Sequence, residues 1–169
     1  MSSTGTDRGG VVTESHLTHL RADGTAHMVD VSAKGITVRT ATAVGRVLLS
    51  AAAVAALRGG TVPKGDALAV ARIAGIQAAK RTPDLIPLAH PISVHAVQVD
   101  LTVVDEGVDL TATVRTADRT GVEMEALTAV SVGALALIDM IKAVDKHARI
   151  TDVRVTAKSG GRSGDWAES

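Results

Sequence analysis

The feature that most constrains the fold of this chain is an apolar segment from Met124 to Asp145, which carries charges only near its ends. Its residues form two stripes at the three- and four-residue spacing of a helix. One stripe is apolar throughout: Leu127, Val130, Ala134, Leu137, Ile141 and Val144. The other is apolar in the middle and charged at its ends: Glu125, Thr128, Val132, Leu135, Asp139, Lys142 and Lys146. A helix that is apolar on two sides must be covered on two sides, so we expect its own sheet on one and a second subunit on the other.

The remaining segments predict an α+β fold. Helices are expected from Ser50 to Arg58 and from Ala67 to about Arg81, with Ser50 and Asp66 as N-caps. Two alternating segments joined by Asp105–Gly107 predict a β-hairpin. Strands are expected at residues 26–31, 35–49, 94–104, 108–117 and 149–157. A hairpin between helices favours a ferredoxin-like antiparallel sheet covered by helices, with the long helix at a subunit interface.

Length and composition indicate one domain. The 169 residues, of which 46% are hydrophobic, suffice for a single core. We expect residues 1–15 to be a disordered N-terminal extension and residues 16–157 to be a single α+β domain. Residues 158–169 are expected to be a mobile, Gly-rich C-terminal tail. The part of this tail from Lys158 to Gly164 could form a backbone nest for phosphate, although a flexible polar tail is the simpler interpretation.

Composition excludes several classes of function. Formal net charge is zero and Trp166 is the only aromatic residue, which argues against nucleic acid as a partner. The chain has no cysteine, so disulfides and thiolate chemistry are excluded. The sequence has neither a signal-peptide pattern nor an uncharged apolar run of membrane-spanning length. We therefore expect a cytoplasmic protein without a membrane partner.

Charged residues of the long helix are the first candidates for a site. Asp139 and Lys142 are three residues apart and can touch, either as a surface salt bridge or as an acid/base pair. Glu123 and Glu125 can complement the helix dipole or line a site. Glu125 and Asp139 would lie roughly 20 Å apart in one helix. They therefore serve different ends of a long ligand, or a second subunit completes the site.

Two further residues are candidates for ligand contacts. His90 lies between Pro87 and Pro91, which hold it on a stiff segment, so a solvated histidine and a ligand contact are both open. Lys64 precedes a predicted helix N-terminus, where anions are favoured. His16 and His19 are only a weak metal pattern, so no metal site is predicted.

Four motifs together resemble the cyclic pyranopterin monophosphate synthase family, the C proteins of molybdenum cofactor biosynthesis. They cover parts of residues 17–166 in the family's order: Ala26–Lys34, Ala71–Arg81, Gly121–Ala129 and Lys158–Gly161. The resemblance implies a ferredoxin-like subunit in a homohexamer, a trimer of dimers with sites at subunit interfaces. It also implies conversion of (8S)-3′,8-cyclo-7,8-dihydroguanosine 5′-triphosphate to cyclic pyranopterin monophosphate and diphosphate, a lyase reaction. No cofactor is implied, although Mg²⁺ can accompany the triphosphate.

The resemblance also assigns residues. It implies catalytic roles for Asp139, Lys142 and Lys64. Substrate contacts are implied for Leu88, Ala89, His90, Glu123, Met124, Glu125, Arg39 and Lys158. One position departs from the family, which usually has cysteine where this chain has Ala89. The alternative is therefore a non-catalytic paralogue that binds a pterin or a nucleoside triphosphate.

Overall fold

An antiparallel sheet and four helices form the fold, as seen in a computed structural model that describes residues 24–168. The strands are β1 (Thr37–Leu48), β2 (Val94–Val104), β3 (Gly107–Asp118), β4 (Arg149–Ser159) and β5 (Trp166–Ala167). The helices are α1 (Ala51–Gly59), α2 (Ala67–Ala79), α3 (Thr82–Leu85) and α4 (Glu123–Ile141). The strand order is β2-β3-β1-β4-β5, with every neighbouring pair antiparallel. The predicted α+β fold of the ferredoxin-like kind is confirmed.

Helix α4 lies on the sheet because glycine allows close approach. A Cβ at Gly45 of β1 would lie 2.6 Å from Cγ1 of Val130, so any larger residue there would push the helix off the sheet. Helix α2 packs beside α4 for the same reason, since a Cβ at Gly75 would lie 2.8 Å from the backbone oxygen of Ala129. Small residues thus bring the two helices and the sheet into contact.

The two predicted stripes of α4 differ in how far this chain covers them. The first stripe is in the core, with Val130, Leu137 and Ile141 fully buried. The second stripe is buried near the start of α4, where Glu125 lies, whereas Leu135 is 58% exposed. Ile73 of α2 is also exposed, at 60%. A second subunit as cover for this helix face stays a prediction.

Helix α4 also meets the length and composition of a membrane span. It has 19 residues, and 56% of its most apolar window is buried inside the protein. It contacts α2 and strands β1, β3 and β4. Packing in the core therefore accounts for its apolar sequence.

Most predicted elements form, with differences at their ends. Ser50 and Asp66 cap α1 and α2 as expected, each accepting a backbone N–H three residues on. Helix α4 ends at Ile141 instead of Asp145, because the Asp145 carboxylate binds the backbone N–H groups of Ser50 and His147. The short helix α3 was not expected.

The predicted strand at residues 26–31 was wrong. Ala26 alone makes an isolated bridge, and Val29 and Lys34 instead offer their carbonyl groups to side chains. None of the strands in the described part of the chain pairs with residues 27–31, so these residues form no ladder.

The segment predicted as a Gly-rich tail carries regular structure. Strand β4 continues to Ser159, and β5 pairs with it through Trp166 and Ala167. Arg154 holds the end of this segment by an ion pair of 3.0 Å with Glu168. The predicted disordered extension, residues 1–15, and the histidines at 16 and 19 lie outside the described residues.

Candidate active site

A cavity of about 580 Å³ opens beside the first turn of α4. Three segments of the chain form it, residues 29–34, 88–90 and 120–125, and Arg162 completes the wall. Six residues that the sequence assigned to substrate contacts line it together: Leu88, Ala89, His90, Glu123, Met124 and Glu125. Residues that are distant in sequence thus share one concave site of a size typical for small molecules.

His90 connects two walls of this cavity. Its ring Nε2 lies 2.6 Å from the carbonyl oxygen of Val29, so the ring donates to the backbone of the 29–34 segment. Arg119 makes a second connection, since its Nε donates to the carbonyl oxygen of Lys34 at 2.9 Å. These two side chains hold a segment that pairs with none of the described strands, and with it Asp30 and Lys34, against the body of the protein.

The two acids of α4 lie in different surroundings. Glu125 is only 3% exposed, and burial raises the pKa of its carboxyl group to about 7, with a smaller contribution from the nearby Glu123. Glu123 instead forms an ion pair with Lys158, with 3.0 Å between Nζ and Oε1. One carboxyl group is therefore partly protonated near neutral pH and able to exchange a proton, whereas the other is held by a cation.

A smaller cavity of about 130 Å³ adjoins the first and shares Lys34 and Glu123 with it. It is lined by Arg39 and Lys158, two of the predicted substrate contacts. The backbone of Gly161, with φ of 84°, passes so close to Arg39 that a Cβ would lie 2.5 Å from its guanidinium nitrogen. Cationic side chains gathered around a glycine turn are suited to bind phosphate groups.

The predicted catalytic residues form a separate cluster at the other end of α4. The Asp139 carboxylate accepts a hydrogen bond from Lys142 at 2.6 Å and one from Lys64 at 2.7 Å. The bond from Lys142, followed by that from Lys64, holds the pKa of Asp139 at about 2. Lys64 also donates to the backbone oxygen of Asp139 at 2.8 Å, which ties it to the end of the helix. None of the three lines the cavities beside Glu123.

Sequence reasoning missed several residues of the site. The large cavity is also lined by Asp30, Lys34 and Thr120. Asp30 and Lys34 belong to the motif Ala26–Lys34, which contributed only to the family resemblance, and Thr120 belongs to no motif. A segment that is rich in polar residues but lacks a pairing partner was the signal that could have identified them.

The described residues do not form the ligand set of a metal site. Within residues 24–168 no group of three or more His, Asp or Glu side chains is placed to hold a metal ion. The nearest histidine to the site, His90, is engaged with the Val29 carbonyl group. The described residues therefore supply cations and proton-transfer groups, and the predicted absence of a cofactor stays a prediction.

Fold and site together define a class of protein: an α+β chain with an acid-lined cavity, an adjoining cationic pocket and a lysine–aspartate cluster on one helix. The sequence model of the MoaC family matches residues 28–161. A protein of Streptomyces coelicolor named cyclic pyranopterin monophosphate synthase is 66% identical over 156 residues, which cover 92% of each chain. A Nocardioides protein of the same name is 64% identical over 89% of this chain and 94% of its own. The chain belongs to the MoaC family.

A more distant relative agrees with this assignment. A Mycobacterium tuberculosis protein named cyclic pyranopterin monophosphate synthase 2 is 59% identical over 150 residues, 89% of this chain and 90% of its own. The matched regions include both ends of α4 and therefore both clusters of charged residues.

Proposed function

We propose that this protein is a cyclic pyranopterin monophosphate synthase of molybdenum cofactor biosynthesis. Its substrate would be (8S)-3′,8-cyclo-7,8-dihydroguanosine 5′-triphosphate, and its products cyclic pyranopterin monophosphate and diphosphate. The observation that carries the proposal is the hydrogen-bonded Lys64–Asp139–Lys142 cluster in a chain that is 66% identical to a protein of that name. The reaction would make the protein a lyase.

We assign the phosphate step of the reaction to the cationic pocket. Closing the cyclic phosphate requires a sugar-derived hydroxyl group to attack the α-phosphorus, while the bond from that phosphorus to the bridging oxygen of diphosphate breaks. Arg39 and Lys158 line the pocket where the charge of the leaving group would be neutralised. Mg²⁺ can accompany the triphosphate, and activity with and without a chelator tests its part.

Proton transfer belongs to the lysine–aspartate cluster and to Glu125. Rearranging the purine-derived ring into a pterin moves protons onto and off nitrogen and oxygen atoms. In the cluster, Asp139 stays ionised and orients the Lys142 ammonium group, which can donate a proton to the substrate. Glu125, with its raised pKa, can do the same from the wall of the large cavity.

The separation of charged residues along α4 supports an oligomer with shared sites. Glu125 and Asp139 are 14 positions apart in one helix, about 21 Å, so one small substrate cannot reach both in a single chain. We infer that the cluster of one subunit completes the cavity of another, in a homohexamer built as a trimer of dimers. The exposed Leu135 on the same face of α4 supports this arrangement. Sedimentation should show a hexamer, and a fully active monomer would contradict the shared site.

The decisive assay is turnover. The purified protein should convert the cyclised dihydroguanosine triphosphate to cyclic pyranopterin and diphosphate, and Lys142→Ala should abolish product while keeping the oligomer. Lys146→Ala, another exposed lysine just beyond the same helix, is the matched control and should retain activity. Activity of Lys142→Ala within a few-fold of the parent would remove this lysine from the mechanism.

Ala89 distinguishes the enzyme from the alternative, a paralogue that only binds. The residue lines the large cavity next to His90. If the parent turns over substrate, Ala89 is a packing position, and Ala89→Cys should change the rate little. If the parent binds the substrate without turnover and Ala89→Cys restores turnover, a thiol takes part in the mechanism. Binding that this change does not convert into turnover would favour the paralogue.

A further inference from the structure

Three carboxyl groups line the large cavity, and Asp30 alone is exposed and outside the ion pairs of the described residues. His90, which lines the same cavity, makes a small contribution to the lowered pKa of Asp30. Glu123 is paired with Lys158 at 3.0 Å, and Glu125 is 3% exposed with a pKa near neutrality. Asp30 is exposed at the cavity wall and has no lysine or arginine partner among the described residues. A carboxylate that lines a ligand cavity without a cation partner is available to bind hydrogen-bond donors of the ligand.

The orientation of the Asp30 carboxylate is fixed from its own segment. Oδ1 accepts the backbone N–H of Ser32 at 2.8 Å, and this bond is the main reason that the pKa of Asp30 lies below its ordinary value. The segment itself is held by His90 at Val29 and by Arg119 at Lys34. Because a carboxylate has about four acceptor positions, the bonds from the Ser32 backbone and side chain leave about two of them for a ligand.

Asp30 and two of the cationic side chains line different cavities. Arg39 and Lys158 line the small pocket, and Lys34 lies where this pocket meets the large cavity. Asp30 lines the large cavity, as does Arg162, and not the small pocket. A ligand whose phosphates occupy the cationic pocket can therefore extend its ring system into the large cavity, which Asp30 lines. The reverse orientation would bring a triphosphate against an unneutralised carboxylate, which like charge disfavours.

We propose that Asp30 is a specificity-determining residue that binds the pyrimidinone edge of the guanine-derived ring. Its carboxylate accepts hydrogen bonds from the ring N1–H and the 2-amino group, two adjacent donors that match two carboxylate oxygens. A hypoxanthine ring lacks the amino group, and an adenine ring lacks the N1–H and presents an acceptor there. The proposal rests on the proposed function for the identity of the ring and adds the residue that recognises it.

Binding of unreactive nucleotides tests this subsite apart from chemistry. Equilibrium dialysis of the full-length protein with GTP, inosine triphosphate and ATP should show that GTP binds best. A well-formed pair of such bonds discriminates roughly 5- to 150-fold. Asp30→Asn should remove most of this preference for GTP while changing ATP binding little. Asn can still accept the Ser32 N–H, so the local turn should persist; Asp105→Asn, on the distant hairpin, is the matched control.

Kinetics with the cyclised substrate give the second readout. A contact to the non-reacting edge of the ring is made equally in the ground state and the transition state, so Asp30→Asn should raise KM and leave kcat nearly unchanged. The proposal would be overturned if the parent bound GTP and inosine triphosphate equally or bound neither. It would also be overturned if Asp30→Asn left the preference for GTP and the KM unchanged. Turnover without guanine preference would refute only this subsite, whereas guanine preference without turnover would refute only the proposed function.

Discussion

Burial of Glu125 predicts a specific pH dependence of stability. Its carboxyl group has a pKa of about 7 in the folded protein against 4.5 when exposed. Because the folded-state value is the higher one, the folded protein binds the proton more tightly. Stability from this group is therefore complete below pH 4.5 and is lost as the pH rises through 7. The shift of about 2.5 units corresponds to roughly 3 kcal/mol, of which about 2.5 kcal/mol is lost between pH 5 and pH 8.

Glu125→Gln isolates this contribution, because glutamine has nearly the same shape and does not titrate. Urea unfolding of parent and variant at fixed protein concentration, from pH 5 to pH 8, gives the free energy of unfolding of each. The variant should gain about 2.5 kcal/mol relative to the parent across this range. Glu106→Gln, at a residue whose side chain is 76% exposed, is the control and should show no such trend.

A difference in unfolding free energy between Glu125→Gln and the parent that stays constant within about 0.5 kcal/mol over the whole range would contradict this pH dependence. That result would mean that water reaches the carboxylate despite its 3% exposure, or that a cation from another subunit compensates it. The same titration bears on activity, since a group with a pKa near 7 should appear in the pH profile of kcat/KM of the parent and disappear in Glu125→Gln.

Two further predictions concern packing and the lysine–aspartate cluster. Gly75→Ala should destabilise the protein by about 1–3 kcal/mol in urea unfolding despite the higher helix propensity of alanine, because its Cβ would lie 2.8 Å from a backbone oxygen of α4. Gly59→Ala, at an uncrowded helix position, should change stability by less, and equal effects would contradict the close helix contact. Lys142→Met should raise the pKa of Asp139 from about 2 toward its ordinary value. Lys64→Met should raise it by less, and carboxyl-carbon NMR of Asp139 measures both shifts. An unchanged Asp139 pKa in both variants would show that neither ammonium group stabilises the carboxylate.

Local sequence determined the elements of this protein and several of their ends. The hairpin of β2 and β3, the N-caps Ser50 and Asp66, and the buried stripe of α4 follow from patterns that act over a few residues. Such features are readable because capping, turn chemistry and helical periodicity depend on near neighbours in the chain. The separation of Glu125 from Asp139 was also available from the rise of a helix alone.

Only the tertiary structure decided which polar side chains meet. The segment 26–31 was predicted to be a strand, yet part of it forms a cavity wall. The side chain of His90 binds its backbone at Val29, and that of Arg119 binds the backbone just beyond it, at Lys34. The raised pKa of Glu125 and the pairing of Glu123 with Lys158 likewise depend on burial and contacts between distant elements. Periodicity specifies which face of an element is apolar, whereas desolvation and long-range hydrogen bonds arise only when the faces are packed together.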